Sequence, residues 1–161
     1  MNEMHIRTMD ERDSGAVMQI FNHYAATGFA AYPEGPVPVQ FFPHLLEGAI
    51  SAIVLDEGTG IAGFGLLKPF FPFPAFKKTG MLTYFIAPEF TGKGFGTQIL
   101  DRLVKDAHKH GITTLLANIS SKNTGSIRFH EKHGFTVAGT LAGVGEKFGE
   151  TFDVVWMQRK I

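Results

Sequence analysis

A chain of 161 residues, 44% hydrophobic and 19% charged, can enclose one good core and is expected to form one domain over residues 1–161. Its 15 basic and 15 acidic residues cancel, which argues against nucleic acid or an anionic membrane as the main partner. Cysteine is absent, which excludes disulfides, thiolate nucleophiles and Cys-ligated zinc. No apolar stretch approaches the roughly 20 residues of a membrane span, and the polar start after Met1 is unlike a signal peptide. A cytoplasmic protein without a metal site is expected.

Met4 to Thr8 reads as a short strand. Ala16, Val17, Ile20, Phe21 and Tyr24 then share one helical face, with Asp13 as N-cap and Gly28 as the stop. Pro33, Gly35, Pro36 and Pro38 enforce a loop, and Val39 to Ala49 forms a second, weaker helix. Ser51 to Leu55 and Ile61 to Leu67 are strands joined by the hairpin turn Glu57-Gly58-Thr59-Gly60. The segment Lys68 to Lys78 (KPFFPFPAFKK) carries four phenylalanines, which either fold onto the core or line a pocket. Gly80 to Ala87 is a strand, and Ile99, Leu100, Leu103, Val104 and Ala107 mark the helix after it, closed by Gly111. Thr113 to Ile119 is the next strand, so strand, turn, helix and strand make a right-handed βαβ unit. Asn123-Thr124-Gly125-Ser126 opens a short helix ending at His133-Gly134. The strands Phe135 to Ala142 and Thr151 to Met157 follow, linked by Gly143 to Gly149. The fold class is α/β with a mixed sheet.

The most informative stretch is Thr83 to Leu100 (TYFIAPEFTGKGFGTQIL). An apolar strand stops at Pro88 and enters a helix through Gly92, Gly94 and Gly96. Such a turn lets main-chain N–H groups point inward, beside a helix start whose donors are unpaired and partially positive. A phosphorylated ligand is expected there, although a purely structural turn is the alternative. The GxxxxGK[ST] phosphate loop is absent, and the even spacing of these glycines fails the GxGxxG dinucleotide pattern.

Thr91 to Thr97, together with NTGSIRFHEKHGF from Asn123 to Phe135, resembles the acetyl-CoA motif of the GNAT superfamily of N-acetyltransferases, with Thr91 in place of the usual Arg or Gln. Within it, FNHYAATG (Phe21 to Gly28), the NxxSxxxHEKxGF pattern and GVGEKFGETFDVVWMQ (Gly143 to Gln158) are similar to the phosphinothricin/methionine sulfoximine acetyltransferase branch. The resemblance implies a twisted, mixed sheet of about seven strands flanked by helices and splayed between the fourth and fifth. It also implies acetyl-CoA as co-substrate, a small amine or amino-acid-like acceptor, and a homodimer.

By the same resemblance, backbone groups at Phe85 and Ile86 would pair with the pantetheine arm. Thr91, Gly92, Lys93, Gly94, Phe95, Gly96 and Thr97 would cradle the pyrophosphate, with Asn123, Ser126 and Lys132 contacting the cofactor from the next helix. Asn123 is equally a plain N-cap. His130 stands where many members place the tyrosine that protonates the departing thiolate; packing within its helix is the alternative. Two departures stand out. Met81 occupies the position of the branch's glutamate base, so deprotonation falls to a water chain, to an amine whose pKa is already low, or to another side chain, for which Glu34, Tyr84 and Asp153 are the candidates. Phosphinothricin-acetylating members carry arginines in the loop corresponding to Phe70 to Phe76, which holds none here, so unless Lys77 and Lys78 point inward a more apolar amine is expected, with Phe71, Phe73 and Met81 near it. An acyl-CoA-binding module with little turnover is the competing function.

Overall fold

The computed structural model describes residues 3–161; Met1 and Asn2, and with them the reading of the chain start, lie outside the described residues. Strand β1 (His5–Thr8) leads through a one-turn 3-10 helix (Glu11–Asp13) into α1 (Ser14–Thr27). Asp10 caps this entry, and the buried Asp13 carboxylate accepts two hydrogen bonds from Arg7 at 2.9 and 2.8 Å. Arg7 also donates to Asp56 at 2.9 Å, so one guanidinium ties β1 to the start of α1 and to the end of β2 (Ser51–Asp56). That bond to Arg7 holds the Asp13 carboxyl below its ordinary pKa against the opposing effect of burial.

The second helix is shorter than its sequence suggests. A 3-10 turn at Val39–Phe41 passes into α2 (Phe42–Leu46), begun by Pro43 and ended before Gly48, whose φ of 72° breaks the helical path. Strands β3 (Ile61–Pro69) and β4 (Thr79–Ile86) come next, then α3 (Phe95–Lys109), β5 (Thr114–Ser120) and α4 (Thr124–Lys132). The chain closes with β6 (Thr136–Lys147) and β7 (Glu150–Lys160). The glycine-rich stretch read as a connector is therefore strand: β6 and β7 form one long hairpin around Phe148-Gly149. Both turn residues have positive φ (53° and 74°), as a type I′ turn demands.

The seven strands lie in the order β1-β2-β3-β4-β5-β7-β6, antiparallel except for β4 beside β5. Helix α3 covers one face. Its Ile99, Leu100, Leu103 and Ala107 are fully buried against Ile53, Leu55, Leu67 and Leu115, each large side chain contributing about 1.5–3 kcal/mol by leaving water. Gly111 (φ 73°) ends α3: its N–H bonds to His108 O and that of Ile112 to Ala107 O, which satisfies the last carbonyls. Helix α1 buries Val17, Ile20 and Phe21 on the opposite face against Val54, Phe64 and Leu66.

The strands β4 and β5 part soon after they meet. Their pairing runs through Thr79↔Thr114, Gly80↔Leu115 and Met81↔Leu116 and stops there. Yet β4 stays paired with β3 as far as Ile86, and β5 with β7 as far as Ser120. The sheet is thus splayed between its fourth and fifth strands, as expected.

Candidate active site

Main-chain groups alternate sides along a strand, which fixes what faces the opening. The Ala87 N–H donates to Ala62 O at 2.8 Å on the β3 side. Two residues back, Phe85 spends its main-chain groups on β3 as well, while those of Tyr84 and Ile86 turn into the gap. The Tyr24 hydroxyl takes the Ile86 carbonyl. The Ile86 N–H and both main-chain groups of Tyr84 remain for a ligand lying between the strands.

The gap runs into a cavity of about 920 Å³ whose far end is the start of α3. A 3-10 turn at Pro88–Phe90 leads to Gly92 (φ 74°) and Gly94 (φ 83°), and Gly94 is the helix N-cap. Among the described residues no side chain caps this helix, so the amides of Phe95, Gly96 and Thr97 keep the unpaired donors of a helix start. Thr91, Gly92, Gly94, Phe95, Gly96 and Thr97 all line the cavity. Lys93 does not; its ammonium lies 5.6 Å from the centroid of the Phe90 ring.

Across the cavity, Asn123 lines the wall and also caps α4, its Oδ1 accepting from Ser126 N at 3.3 Å. Ser126 and Lys132 share that wall, and the Thr97 hydroxyl lies within hydrogen-bond distance of His133 Nε2, at 3.0 Å. One turn beyond Ser126, His130 is buried with its Nδ1 2.7 Å from the Ser126 carbonyl. A carbonyl only accepts, so Nδ1 carries the proton and Nε2 is the acceptor. Its partner is the Tyr84 hydroxyl, at 2.5 Å. Burial raises the Tyr84 pKa, slightly offset by the charge of Arg159, and lowers that of His130 against the stabilising bond to Ser126. At neutral pH the pair is uncharged.

The phenylalanine loop lies elsewhere. Phe71 and Phe73 are 48% and 64% exposed and flank a separate hollow with Ile50, His110 and Ile112; they do not line the large cavity. Phe70, Phe71 and Phe76 pack on one another, and Phe70 meets Trp156 edge-on. Met81 forms the last rung before the strands part and is not in the cavity wall either. Among the remaining candidate bases, Glu34 accepts from Phe148 N at 2.8 Å and Asp153 from Gly143 N at 2.7 Å, both holding the β6–β7 hairpin.

Several wall residues escaped the sequence reading. Tyr32, whose hydroxyl donates to Asn118 Oδ1 at 2.8 Å, and Thr83 stand at the end away from the glycine turn. The fully buried Lys147 donates to Ala31 O at 2.6 Å, tying the β6–β7 turn to the loop that carries Tyr32. Tyr32 sits in a proline-rich loop without periodicity, so no sequence signal marked it.

A sheet opened between two parallel strands, with an uncapped glycine-started helix at the far end of the cavity it opens into, defines a protein that holds an extended, phosphate-bearing molecule between its strands. The chain belongs to the Acetyltransferase (GNAT) family, whose profile matches residues 17–135. It is 30% identical to an L-methionine sulfoximine/L-methionine sulfone acetyltransferase of Salmonella typhimurium, over 98% of this chain and 95% of that protein. Identity is 28% to a phosphinothricin N-acetyltransferase of Streptomyces coelicolor, over 99% and 97%. The structure of yncA from Salmonella typhimurium with its cofactor acetyl-CoA superposes with a TM-score of 0.86 at 30% identity, over 99% of this chain and 94% of that one. This chain is an acetyltransferase that uses acetyl-CoA, and its place beside the phosphinothricin/methionine sulfoximine branch follows from these relatives.

Proposed function

We propose that the protein is one N-acetyltransferase domain that moves acetyl from CoA to the amine of a small, amino-acid-like molecule carrying little negative charge. The observation that carries this reading is the composition of the large cavity. Its wall includes one charged residue, Lys132, among the described Asp, Glu, Lys and Arg residues. The acceptor end is built from Tyr32, Thr83 and Asn118, which offer neutral hydrogen-bonding groups to an amine and no cation for a phosphinate. Relatives named for methionine sulfoximine and phosphinothricin support an amino-acid-like acceptor.

In this reading Thr91 to Thr97 hold the pyrophosphate on main-chain donors, with Asn123, Ser126 and Lys132 beside it. The Ile86 N–H and the Tyr84 main chain take the pantetheine, a part that the alternation along β4 supports for them in place of Phe85. Acetyl-CoA supplies an activated carbonyl and a thiolate leaving group. The protein supplies orientation, which is worth up to about 7–11 kcal/mol. A cytoplasmic setting, where acetyl-CoA is available, belongs to the same proposal. Competition between amines tests the acceptor class. An apolar or neutral amino-acid amine is expected to exceed phosphinothricin in kcat/KM by about tenfold or more, a difference of ~1.4 kcal/mol. A preference for phosphinothricin would contradict it.

A homodimer is part of this reading as well. β6 is an outermost strand, and Val137, Leu141 and Val144 on it are half exposed or more. An edge strand of this length invites a partner. Sedimentation velocity is expected to show a dimer, weakened by Leu141→Lys; a monomer at micromolar concentration would reject it.

A further inference from the structure

We propose that Tyr84 and His130 act as a neutral proton relay, taking a proton from the attacking amine nitrogen and delivering it to the leaving sulfur. The proposal rests on the acetyltransfer reading and adds the proton path to it. Three observations carry it. Both side chains line the cavity at the gap. The Ser126 carbonyl at 2.7 Å from Nδ1 fixes the tautomer, so the Nε2 lone pair receives the Tyr84 proton at 2.5 Å. No carboxylate stands among the described residues of the cavity wall, and Met81 offers none at the neighbouring rung.

Because its proton is committed to His130, Tyr84 turns lone pairs of its oxygen to the cavity and is poised to accept. As the free amine bonds to the thioester carbonyl carbon, one N–H proton passes to Tyr84 Oη while the Tyr84 proton passes to His130 Nε2. As the C–S bond breaks with its electron pair on sulfur, His130 returns that proton to Tyr84, and Tyr84 passes one to sulfur. Amide and thiol leave, and both side chains end as they began. The surroundings suit a transient imidazolium poorly enough to keep it transient. His130 is 4% exposed, its other close polar neighbour is the Ser126 hydroxyl at 3.4 Å, and the ionisable side chains facing the pair are His133, just past the end of α4, beside His130 and Arg159 on β7 beside Tyr84. Tyr84 is the catalytic residue of the pair, and His130 acts through it.

The test compares Tyr84→Phe, His130→Gln and the double variant. Wild-type turnover with an accepted amine comes first and decides the acetyltransfer reading by itself. Given that turnover, each single variant should lower kcat by about 100-fold or more, the scale of positioned proton transfer. The double variant should lose little beyond either single one, as residues acting as a unit do. Acetyl-CoA affinity by titration should stay within about twofold of wild type, and a curved proton inventory should become linear in Tyr84→Phe. A second readout needs no turnover: nitrogen NMR of the free protein should show His130 Nε2 as an unprotonated acceptor whose shift moves in Tyr84→Phe. A Tyr84→Phe enzyme within about threefold of wild-type kcat, multiplicative losses in the double variant, or an Nε2-protonated His130 would overturn the relay.

Discussion

Replacing Gly94 with valine is expected to weaken acetyl-CoA binding by about 100-fold or more, which corresponds to about 2.7 kcal/mol. Gly94 holds φ at 83°, where an L side chain costs about 1–2 kcal/mol and a β-branched one more. The chain would relieve that strain by rotating the turn, and the turn aims the amides of Phe95 to Thr97. Losing even one hydrogen bond to a charged group removes about 1.5–3 kcal/mol. Beyond its own chain neighbours, a Cβ at Gly94 meets no atom of the described residues within 4 Å. The damage would therefore fall on the ligand side while the core stays packed. Calorimetric titration measures the affinity, and thermal unfolding confirms that the variant is folded. Wild-type affinity in Gly94→Val would mean that the helix start does not hold the pyrophosphate.

Replacing Gly65 with valine is expected to cost about 3 kcal/mol of folding stability. Gly65 lies on β3 beneath α3, and a Cβ there would stand 2.6 Å from Ile99 Cγ2 and 3.0 Å from Leu103 Cδ1. Both of those side chains are fully buried, with nowhere to retreat. Valine adds three carbons, so α3 must lift from the sheet; overpacking of this kind typically costs about 1–3 kcal/mol and sometimes more. Against a total stability of about 5–15 kcal/mol, the melting temperature should fall by about 10 °C. Gly35→Ala serves as the control, because nothing lies within 4 Å of its Cβ position and the effect there should stay within about 0.5 kcal/mol. A Gly65→Val protein as stable as wild type would contradict the close approach of α3 to β3.

The parts of the molecule legible from sequence are those where local chemistry and tertiary structure agree. Helix α3 is an example: the spacing of Ile99, Leu100, Leu103 and Ala107 fits one face, and Gly94 and Gly111 mark its ends by positive φ. The end of the chain shows the opposite case. Gly143 and Gly145 interrupt the apolar alternation and read as a connector, yet β6 continues through them. Gly145 is glycine because the Phe152 ring of the facing strand lies over it, 2.2 Å from where a Cβ would be. That reason is held across the hairpin and is invisible locally. Pro43 looked like a residue inside a longer helix and instead starts a short one.

At the site, the residues proposed to hold the cofactor stand in short contiguous motifs, and those proposed for the acceptor do not. Tyr84 and His130 lie 46 positions apart and meet only because the gap places the end of β4 opposite α4. Phe71 and Phe73 lie close in sequence to β4, but the loop packs the Phe71 ring on Phe70 and Phe76 and leaves both residues beside a separate hollow, outside the wall of the large cavity. The aromatic make-up of the loop suggested a pocket wall that the loop path does not provide. The neutrality expected of the acceptor rests instead on Tyr32, Thr83 and Asn118, which come from three separate elements.

The most direct test of the account is CoA release from acetyl-CoA, followed over a panel of small amines and amino acids with neutral and anionic side chains. The account predicts saturable, amine-dependent release that is fastest with neutral acceptors. Acetyl-CoA binding without acceleration by any amine in the panel would contradict it and leave an acyl-CoA-binding protein.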